Sequence, residues 1–339
     1  MRTTRYYVCS NDTNSLTLSR VVMNQSRNAD FVVLMNAIAT ACKLVSRSTR
    51  KAGIAGLYGL AGTENATGDD QKKLDVLSNE MFVNALYNSR VCAVLVSEEN
   101  DDPIIVPAEM AGRYCVAFDP LDGSSNIDCN VSTGTIFSVW EKTSTDAASV
   151  KDILRPGREM ICAGYCCYGA ATELVTTYYK SPVQRFTLDP SIGEFVITLT
   201  DLQFPPKEKT IYSVNDGNYI TWDEPMQRAV DKFKFNSPKP YTARYVGSMV
   251  ADVHRTLLYG GVYLYPADAA KGNGKLRVLY EGFPMAFIIE AAGGMANTGM
   301  FNGRLQRILD IKPTDIHEKC PVICGSSRDV TRVLAEYSA

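Results

Sequence analysis

Phe118-Asp119-Pro120-Leu121-Asp122-Gly123-Ser124-Ser125-Asn126-Ile127-Asp128 sets two carboxylates three residues apart, directly after the apolar run Tyr114-Cys115-Val116-Ala117-Phe118. Pro120 cannot donate to a sheet ladder, so a strand is predicted to end there with Asp119 at its tip. Carboxylates, together with the free Leu121 carbonyl, are the oxygen ligands that a hard divalent cation such as Mg²⁺ takes. Gly123 lets a phosphate approach the backbone, where N–H groups and the Ser124 and Ser125 hydroxyls can hold its oxygens. Taken alone, the segment is equally compatible with an Asp/Gly/Ser turn whose acids face solvent. It does not keep the D-x-[DN]-x-[DN]-G order of an EF-hand calcium loop.

Working outward, a predicted strand Val91–Val96 leads into Ser97-Glu98-Glu99-Asn100, so Glu98 and Glu99 stand to their strand as Asp119 stands to its own. Neighbouring strands pointing the same way would bring these acids to one sheet edge, where sites of α/β sheets lie. Gathered acids are costly unless cations neutralise them. Glu281, after the run Leu276-Arg277-Val278-Leu279-Tyr280 and before a Gly-Phe-Pro turn, is a third position of this kind. Asp69 and Asp75 could orient or deprotonate an attacking water from a loop that closes. Asp75 also reads simply as favourable charge in a helix's first turn. Arg244-Tyr245, Lys275 behind Gly272-Asn273-Gly274, Asn215 and nearby tyrosines could serve a phosphorylated ligand, although each singly reads as a surface residue.

Composition narrows the function classes. A chain of 339 residues can bury substantial cores and form two domains or one large composite. Net charge is −2 with no basic block, which argues against general nucleic-acid binding. No apolar stretch is expected to span a bilayer, and Met1-Arg2-Thr3-Thr4-Arg5 lacks the apolar core of a secretory signal. The C-terminal Glu336-Tyr337-Ser338-Ala339 is not a peroxisomal or retention tripeptide, so a cytoplasmic location is expected. Ten cysteines, mostly inside apolar runs, read as buried reduced thiols. Cys320 and Cys324 have no second pair for zinc, and with only His254 and His317 a histidine-ligated metal centre is nearly excluded. His254 lies in a predicted helix, where a structural role is expected.

Along the chain, a short helix near Leu16–Met23 precedes one over Phe31–Arg50, capped by Asp30 and stopped by Gly53. Residues 61–73 read as a surface loop, followed by a helix over Leu74–Asn88. Strands are predicted at Thr135–Trp140, Met160–Tyr168, Thr172–Tyr179 and Glu194–Leu199. Polar, proline-containing Gln203–Lys209 marks a boundary. Beyond it, strands at Thr210–Val214, Gly261–Tyr265 and Pro321–Cys324 alternate with helices near Asp223–Phe233, Ser248–Tyr259, Pro284–Ala292 and Arg328–Tyr337, an α/β pattern.

Together these residues resemble fructose-1,6-bisphosphatase of the class common to eukaryotes and many bacteria, from about Thr17 to the end. The resemblance includes Arg50-Lys51-Ala52-Gly53, Lys72–Asn79, Leu95–Asn100, Phe118–Asp128, Ala243–Arg255 and Gly274-Lys275-Leu276-Arg277. Inositol monophosphatases share the Asp-Pro-Leu-Asp-Gly core, but Arg244-Tyr245-Val246-Gly247-Ser248-Met249 points to the bisphosphatase. The resemblance implies a layered αβαβα sugar-phosphatase fold with two sheets and flanking helices, divided as 1–201 and 202–339. It implies Mg²⁺ or Mn²⁺ on Glu98, Asp119, the Leu121 carbonyl, Asp122 and Glu281. Asp75 and Glu99 would activate water, with Asp69 serving the mobile loop. Asp122, Gly123, Ser124 and Ser125 would surround the 1-phosphate of fructose 1,6-bisphosphate. Asn215, Tyr245, Tyr265 and Lys275 would hold the sugar and 6-phosphate, with Met249 against the sugar. Arg244 would reach a neighbouring subunit's site in a homotetramer.

Several positions depart from the family pattern. The glycine-bearing loop that binds AMP phosphate in animal enzymes is shortened here to Ser26-Arg27-Asn28-Ala29-Asp30-Phe31. Arg113 and Tyr114 keep a basic–aromatic pair at that site, but Glu141 replaces an arginine, so AMP inhibition is expected to be weakened or rearranged. Asn218 stands where a 6-phosphate tyrosine is expected, with Tyr219 one place late, and Ala270 replaces a lysine. The cysteine insertion of the redox-regulated chloroplast type is lacking after Ser144–Lys151. Alternatives are sedoheptulose-1,7-bisphosphatase activity, an inositol phosphatase, or an inactive regulatory protein.

Overall fold

The structure, a computed structural model, describes residues 16–26, 28–65, 70–235, 239–270, 272 and 274–338. Two helices, α1 (Leu18–Gln25) and α2 (Ala29–Lys51), precede a hairpin of β1 (Leu60–Glu64) and β2 (Asp70–Lys72), which leads into α3 (Lys73–Tyr87). Eight strands follow: β3 (Cys92–Ser97), β4 (Ile104–Ile105), β5 (Tyr114–Asp122), β6 (Thr133–Glu141), β7 (Cys162–Tyr168), β8 (Thr172–Tyr178), β9 (Gln184–Asp189) and β10 (Glu194–Leu199). They form one sheet in the order β10-β9-β8-β7-β6-β5-β3-β4. Every neighbouring pair is antiparallel except β3 and β5.

The second half runs β11 (Ile211–Ser213), α4 (Glu224–Lys234), β12 (Thr242–Ala243), α5 (Met249–Tyr259), β13 (Val262–Tyr265), β14 (Leu276–Arg277) and α6 (Phe283–Ala291). It continues with β15 (Met295–Phe301), β16 (Arg304–Arg307), β17 (Lys319–Cys320), β18 (Val322–Gly325) and α7 (Ser327–Ala335). The second sheet has the order β12-β11-β13-β18-β15-β16, while β14 and β17 form a separate antiparallel ribbon.

Strand alternation builds the layers. Tyr114, Val116 and Phe118 of β5 face one way and pack with Phe31, Leu34 and Ile38 of α2 and Phe82 of α3. Cys115 and Ala117 face the other way, into a core with Val250 and Val253 of α5 and Met285, Ile288 and Ile289 of α6. That core extends to Tyr263, Ala296, Val322 and Cys324 of the second sheet. The opposite face of that sheet, through Val262, Leu264 and Ile323, is covered by Met226 and Val230 of α4 and Val330 and Val333 of α7. The succession is helix, sheet, helix, sheet, helix, as expected. Strands buried on both faces read as continuous apolar runs, which is why β3 and β5 were legible.

Four local expectations are corrected. Asn28, not Asp30, caps α2: its Oδ1 accepts from the N–H groups of Asp30 at 3.1 Å and Phe31 at 3.4 Å, leaving Asp30 in the first turn. The described residues of 61–73 are not a plain loop, since 61–64 and 70–72 pair as strands of the β1–β2 hairpin and Lys73 starts α3. By length and composition α2 could cross a bilayer, contrary to the sequence reading. However, its apolar face, including Phe31, Leu34, Ile38 and Val45, is buried in the core. Strands β4, β9, β12, β15, β16 and β17 were not foreseen.

Candidate active site

The parallel pair β3 and β5, with Ser97 opposite Phe118, delivers its acids to one sheet edge. β3 stops where the Glu98 N–H donates to the Phe118 carbonyl at 3.2 Å. β5 does not stop at Pro120. It continues to Asp122 along β6, and the register slips between Asp119 and Asp122. This bulge lets the strand carry a residue with no N–H to donate, because β3 no longer flanks it. Within the bulge the Leu121 N–H donates to Asp119 Oδ1 at 2.9 Å, and Thr135 Oγ1 donates to the Pro120 carbonyl at 2.8 Å.

Asp122 is held from the second half of the chain, its Oδ2 accepting from Ser248 Oγ and the Val250 N–H, each at 3.0 Å. Glu281 arrives differently from expectation. The predicted strand ends at Arg277, and Val278–Gly282 forms a π-helical turn. There Glu281 Oε2 accepts from the Arg277 N–H at 2.6 Å. One oxygen each of Asp119, Asp122 and Glu281 lies within 4.8 Å of the others, and all three residues are buried. Burial pushes Asp119 well above the usual carboxylate range, with the charges of Glu98, Asp122 and Glu281 adding to it. Burial also raises Asp122 to about 6 and Glu281 to about 8. A set of hard oxygen donors with this uncompensated charge suits a divalent cation. Glu98 stands beside them with Oε1 3.1 Å from Arg277 Nη2.

Asp75 and Glu99 flank this group. Asp75, 3% exposed in the first turn of α3, accepts from the Lys72 N–H at 2.7 Å through Oδ2. Burial raises it to about 7. Glu99 Oε2 accepts from Gln71 Nε2 at 2.5 Å, and Gln71 Oε1 accepts from Thr63 Oγ1 at 2.7 Å, so the hairpin fixes this acid. Burial, then the charges of Asp75 and Glu98, raise Glu99 to about 8. Asp69 lies outside the described residues.

Gly123 has φ +76°, and a Cβ there would come within 2.9 Å of Ser248 Cβ. Both the left-handed backbone and the lack of room therefore require glycine at the loop. A cavity of about 440 Å³ unites most of the predicted residues: Asp75, Glu98, Glu99, Asp119, Leu121, Asp122, Gly123, Ser124, Ser125, Tyr245, Met249, Tyr265, Lys275 and Glu281. Asn215 and Arg244 do not line it. Asn215 Oδ1 accepts from the Gly217 N–H at 3.2 Å, and exposed Arg244 donates from Nη1 to the Ala243 carbonyl at 3.1 Å. Tyr219 is also elsewhere, donating to Asp231 Oδ2 at 2.7 Å.

Sequence reasoning assigned no role to Gln71, Lys72, Tyr263 or Arg277, which also line the cavity. An arginine inside the apolar run Leu276–Tyr280 was the one available signal, since such a charge is buried only when paired. His254 and His317 are structural. His254 bridges Tyr165 Oη (2.8 Å) and Glu173 (3.0 Å), while His317 bridges Tyr280 Oη (2.8 Å) and the Asn100 carbonyl (3.0 Å). Cys320 and Cys324 are buried and unpaired.

Tyr114 begins β5, with Arg113 just before it, at the opposite end from the carboxylates. Arg113 Nη2 pairs with Glu141 Oε1 at 3.3 Å, and the same oxygen accepts from Tyr179 Oη at 3.1 Å. Tyr114 Oη accepts from Asn28 Nδ2 at 2.9 Å.

Five layers, carboxylates at one strand edge and a glycine–serine loop beside them define a phosphatase of the sugar-phosphatase class. Comparison with known families narrows this. The model described as "Fructose-1-6-bisphosphatase, N-terminal domain" matches residues 16–200, and that described as "Fructose-1-6-bisphosphatase, C-terminal domain" matches residues 205–338. The chain belongs to the fructose-1,6-bisphosphatase family, whose activity is hydrolysis of fructose 1,6-bisphosphate and which is metal-dependent. It is 52% identical over 334 residues to the cytosolic fructose-1,6-bisphosphatase of Oryza coarctata, covering 96% of this chain and 95% of that one. It is 52% identical over 332 residues to fructose-1,6-bisphosphatase 1 of Bos taurus, covering 96% of each. The crystal structure of the Leishmania major fructose-1,6-bisphosphatase in holo form superposes with a TM-score of 0.90 at 45% identity, over 96% of this chain and 100% of that one.

Proposed function

We propose that this chain hydrolyses the 1-phosphate of D-fructose 1,6-bisphosphate to fructose 6-phosphate and phosphate, a reaction of gluconeogenesis, using Mg²⁺ or Mn²⁺. The observation that carries this reading is the approach of Asp119, Asp122 and Glu281 within 4.8 Å in the cavity that also holds Gly123–Ser125, Tyr245, Tyr265 and Lys275. Glu98, Asp119, Asp122, Glu281 and the Leu121 carbonyl would hold the metal. Held by these residues, such ions would lower the pKa of water and neutralise phosphoryl and leaving-group charge. Asp75 and Glu99, raised by burial toward neutrality, orient the attacking water and accept its proton. Asp69 is assigned to the same task from its loop. The water oxygen bonds to phosphorus as the ester P–O bond breaks, and no side chain is needed as a covalent nucleophile.

Asp122, the Gly123 backbone and the Ser124 and Ser125 hydroxyls hold the 1-phosphate. Tyr245, Tyr265 and Lys275 hold the sugar and 6-phosphate, with Met249 against the sugar; Asn215, which does not line the cavity, is assigned to the same end of the substrate. Exposed Arg244 is assigned to the site of a neighbouring subunit in a homotetramer. We divide the chain into domains at 1–201 and 202–339, a division supported by the gap between the two family matches. A cytoplasmic location is supported by the relatives named cytosolic. Arg113 and Tyr114 are assigned to an AMP site weakened by the Arg113–Glu141 pair.

Phosphate release from fructose 1,6-bisphosphate, assayed with and without Mg²⁺, tests the reading. Metal-dependent release that disappears in Asp122→Ala is expected. No release from the folded wild type, or faster turnover of sedoheptulose 1,7-bisphosphate, would overturn the assignment of substrate.

A further inference from the structure

We infer that Asp252 is a positioning residue for substrate: a buried carboxylate that sets the Tyr245–Ser248 loop and ties it to the end of β11. This rests on the sugar-phosphate reading of the cavity. Asp252 is 0% exposed and lies in the first turn of α5, where an acid ordinarily serves its own helix. Here Ser248 is already the N-cap. Asp252 instead reaches back to the preceding loop, accepting from the Val246 N–H on both oxygens and from the Gly247 N–H on Oδ2, each at 3.0 Å. Oδ1 also accepts from Ser213 Oγ at 3.0 Å and Arg255 Nη2 at 2.7 Å. The same Arg255 nitrogen donates to the Arg244 carbonyl at 2.9 Å.

The loop faces the phosphate segment on its other side. Asn126 Nδ2 donates to the Gly247 carbonyl at 3.1 Å, and Ser248 Oγ donates to Asp122 Oδ2 at 3.0 Å. Packing does little to hold it, since Tyr245 and Val246 keep 37% and 38% of their surface exposed. Gly247 sits at φ +85°, a conformation the loop must be held in. Hydrogen bonds to one buried carboxylate therefore decide where Tyr245 stands on the cavity wall. Ser213 extends the same control toward Asn215, two residues on.

Asp252→Asn turns one of these acceptors into a donor facing a donor. Two quantities report the loop: KM for fructose 1,6-bisphosphate, and the Kd of fructose 6-phosphate measured calorimetrically without metal. Both should rise about ten-fold while kcat falls by less, the scale of a lost hydrogen bond to a charged group. A purely structural role would lower thermal stability and leave both constants in the folded variant at wild-type values, which would overturn the proposal. Should Asp252→Asn not fold, Ser213→Ala removes one donor only. Both constants should then rise about three-fold, and unchanged values would overturn the proposal in that case. If the wild type binds fructose 6-phosphate in an Asp252-dependent way yet releases no phosphate, the proposed activity fails and the positioning role stands.

Discussion

Arg277 Nη2 lies 3.1 Å from Glu98 Oε1, joining the end of β3 to the ribbon strand that feeds the Glu281 turn. Both side chains are largely buried, and the arginine is a cation set beside Glu98, Glu99 and Glu281, carboxylates brought from distant parts of the chain. Removing one partner of such a pair leaves an uncompensated charge behind. Arg277→Met should therefore cost about 3 kcal/mol of stability in metal-free protein. Urea unfolding in EDTA measures the loss, and saturating Mn²⁺ should restore part of it. An unchanged midpoint would show the pair to be dispensable.

The metal-free protein should lose stability as pH rises. Burial lifts Asp75 to about 7 and Glu99 and Glu281 to about 8, above their unfolded values near 4. Between those limits the folded chain binds more protons than the unfolded chain, so the stability slope with pH is negative. Asp152, lowered to about 2 by its hydrogen bonds, contributes stability that is complete above the unfolded value and lost only at lower pH. It does not mask the trend. Thermal midpoints in EDTA should fall from about pH 5 to pH 8, and divalent ions should flatten the fall. A rise over that window would refute the burial argument.

Asp119→Asn separates function from stability. Asp119 is buried against Glu98, Asp122 and Glu281, so a neutral isostere relieves repulsion. Metal-free Asp119→Asn should unfold later than wild type at pH 8, while phosphate release falls by about 1000-fold or more, as for loss of a group that stabilises transition-state charge. A variant both active and unchanged in stability would remove Asp119 from the metal set.

Glu141 engages the cation of the assigned AMP site, since Arg113 is paired with it at 3.3 Å. Glu141→Arg replaces that carboxylate with a cation and frees Arg113. Inhibition by AMP should strengthen about ten-fold, the scale of one gained charge-assisted contact to a phosphate. Potent inhibition of the wild type that is lost in Arg113→Ala would instead show the site to be intact.

Much of the fold was readable because burial leaves a mark in the sequence. The unbroken apolar run Tyr114–Phe118 marked a strand buried on both faces, and the strand ends at Glu98 and Asp119 marked where acids would emerge. β9 escaped notice because Gln184-Arg185-Phe186-Thr187-Leu188-Asp189 carries only two large apolar residues, and four of its six residues stay half-exposed even in the sheet. Pro120 misled for a different reason. A missing N–H ends a strand only where a neighbour needs that donor, and β3 has already stopped at that point.

The sequence by itself determined the chemistry on offer: hard oxygen ligands, a glycine that lets a phosphate approach the backbone, serines beside it, and too few histidines for a histidine-ligated centre. Those are properties of residue type and near neighbours, which local physics dictates. Only the tertiary structure decided which acids meet. The parallel pairing of β3 with β5, the bulge of β5 against β6 at Pro120, the Arg277–Glu98 pair beside the Glu281 turn and the Gln71 contact to Glu99 are all contacts between separate segments. Their geometry depends on how two sheets close over shared helices, and no stretch of chain encodes that alone.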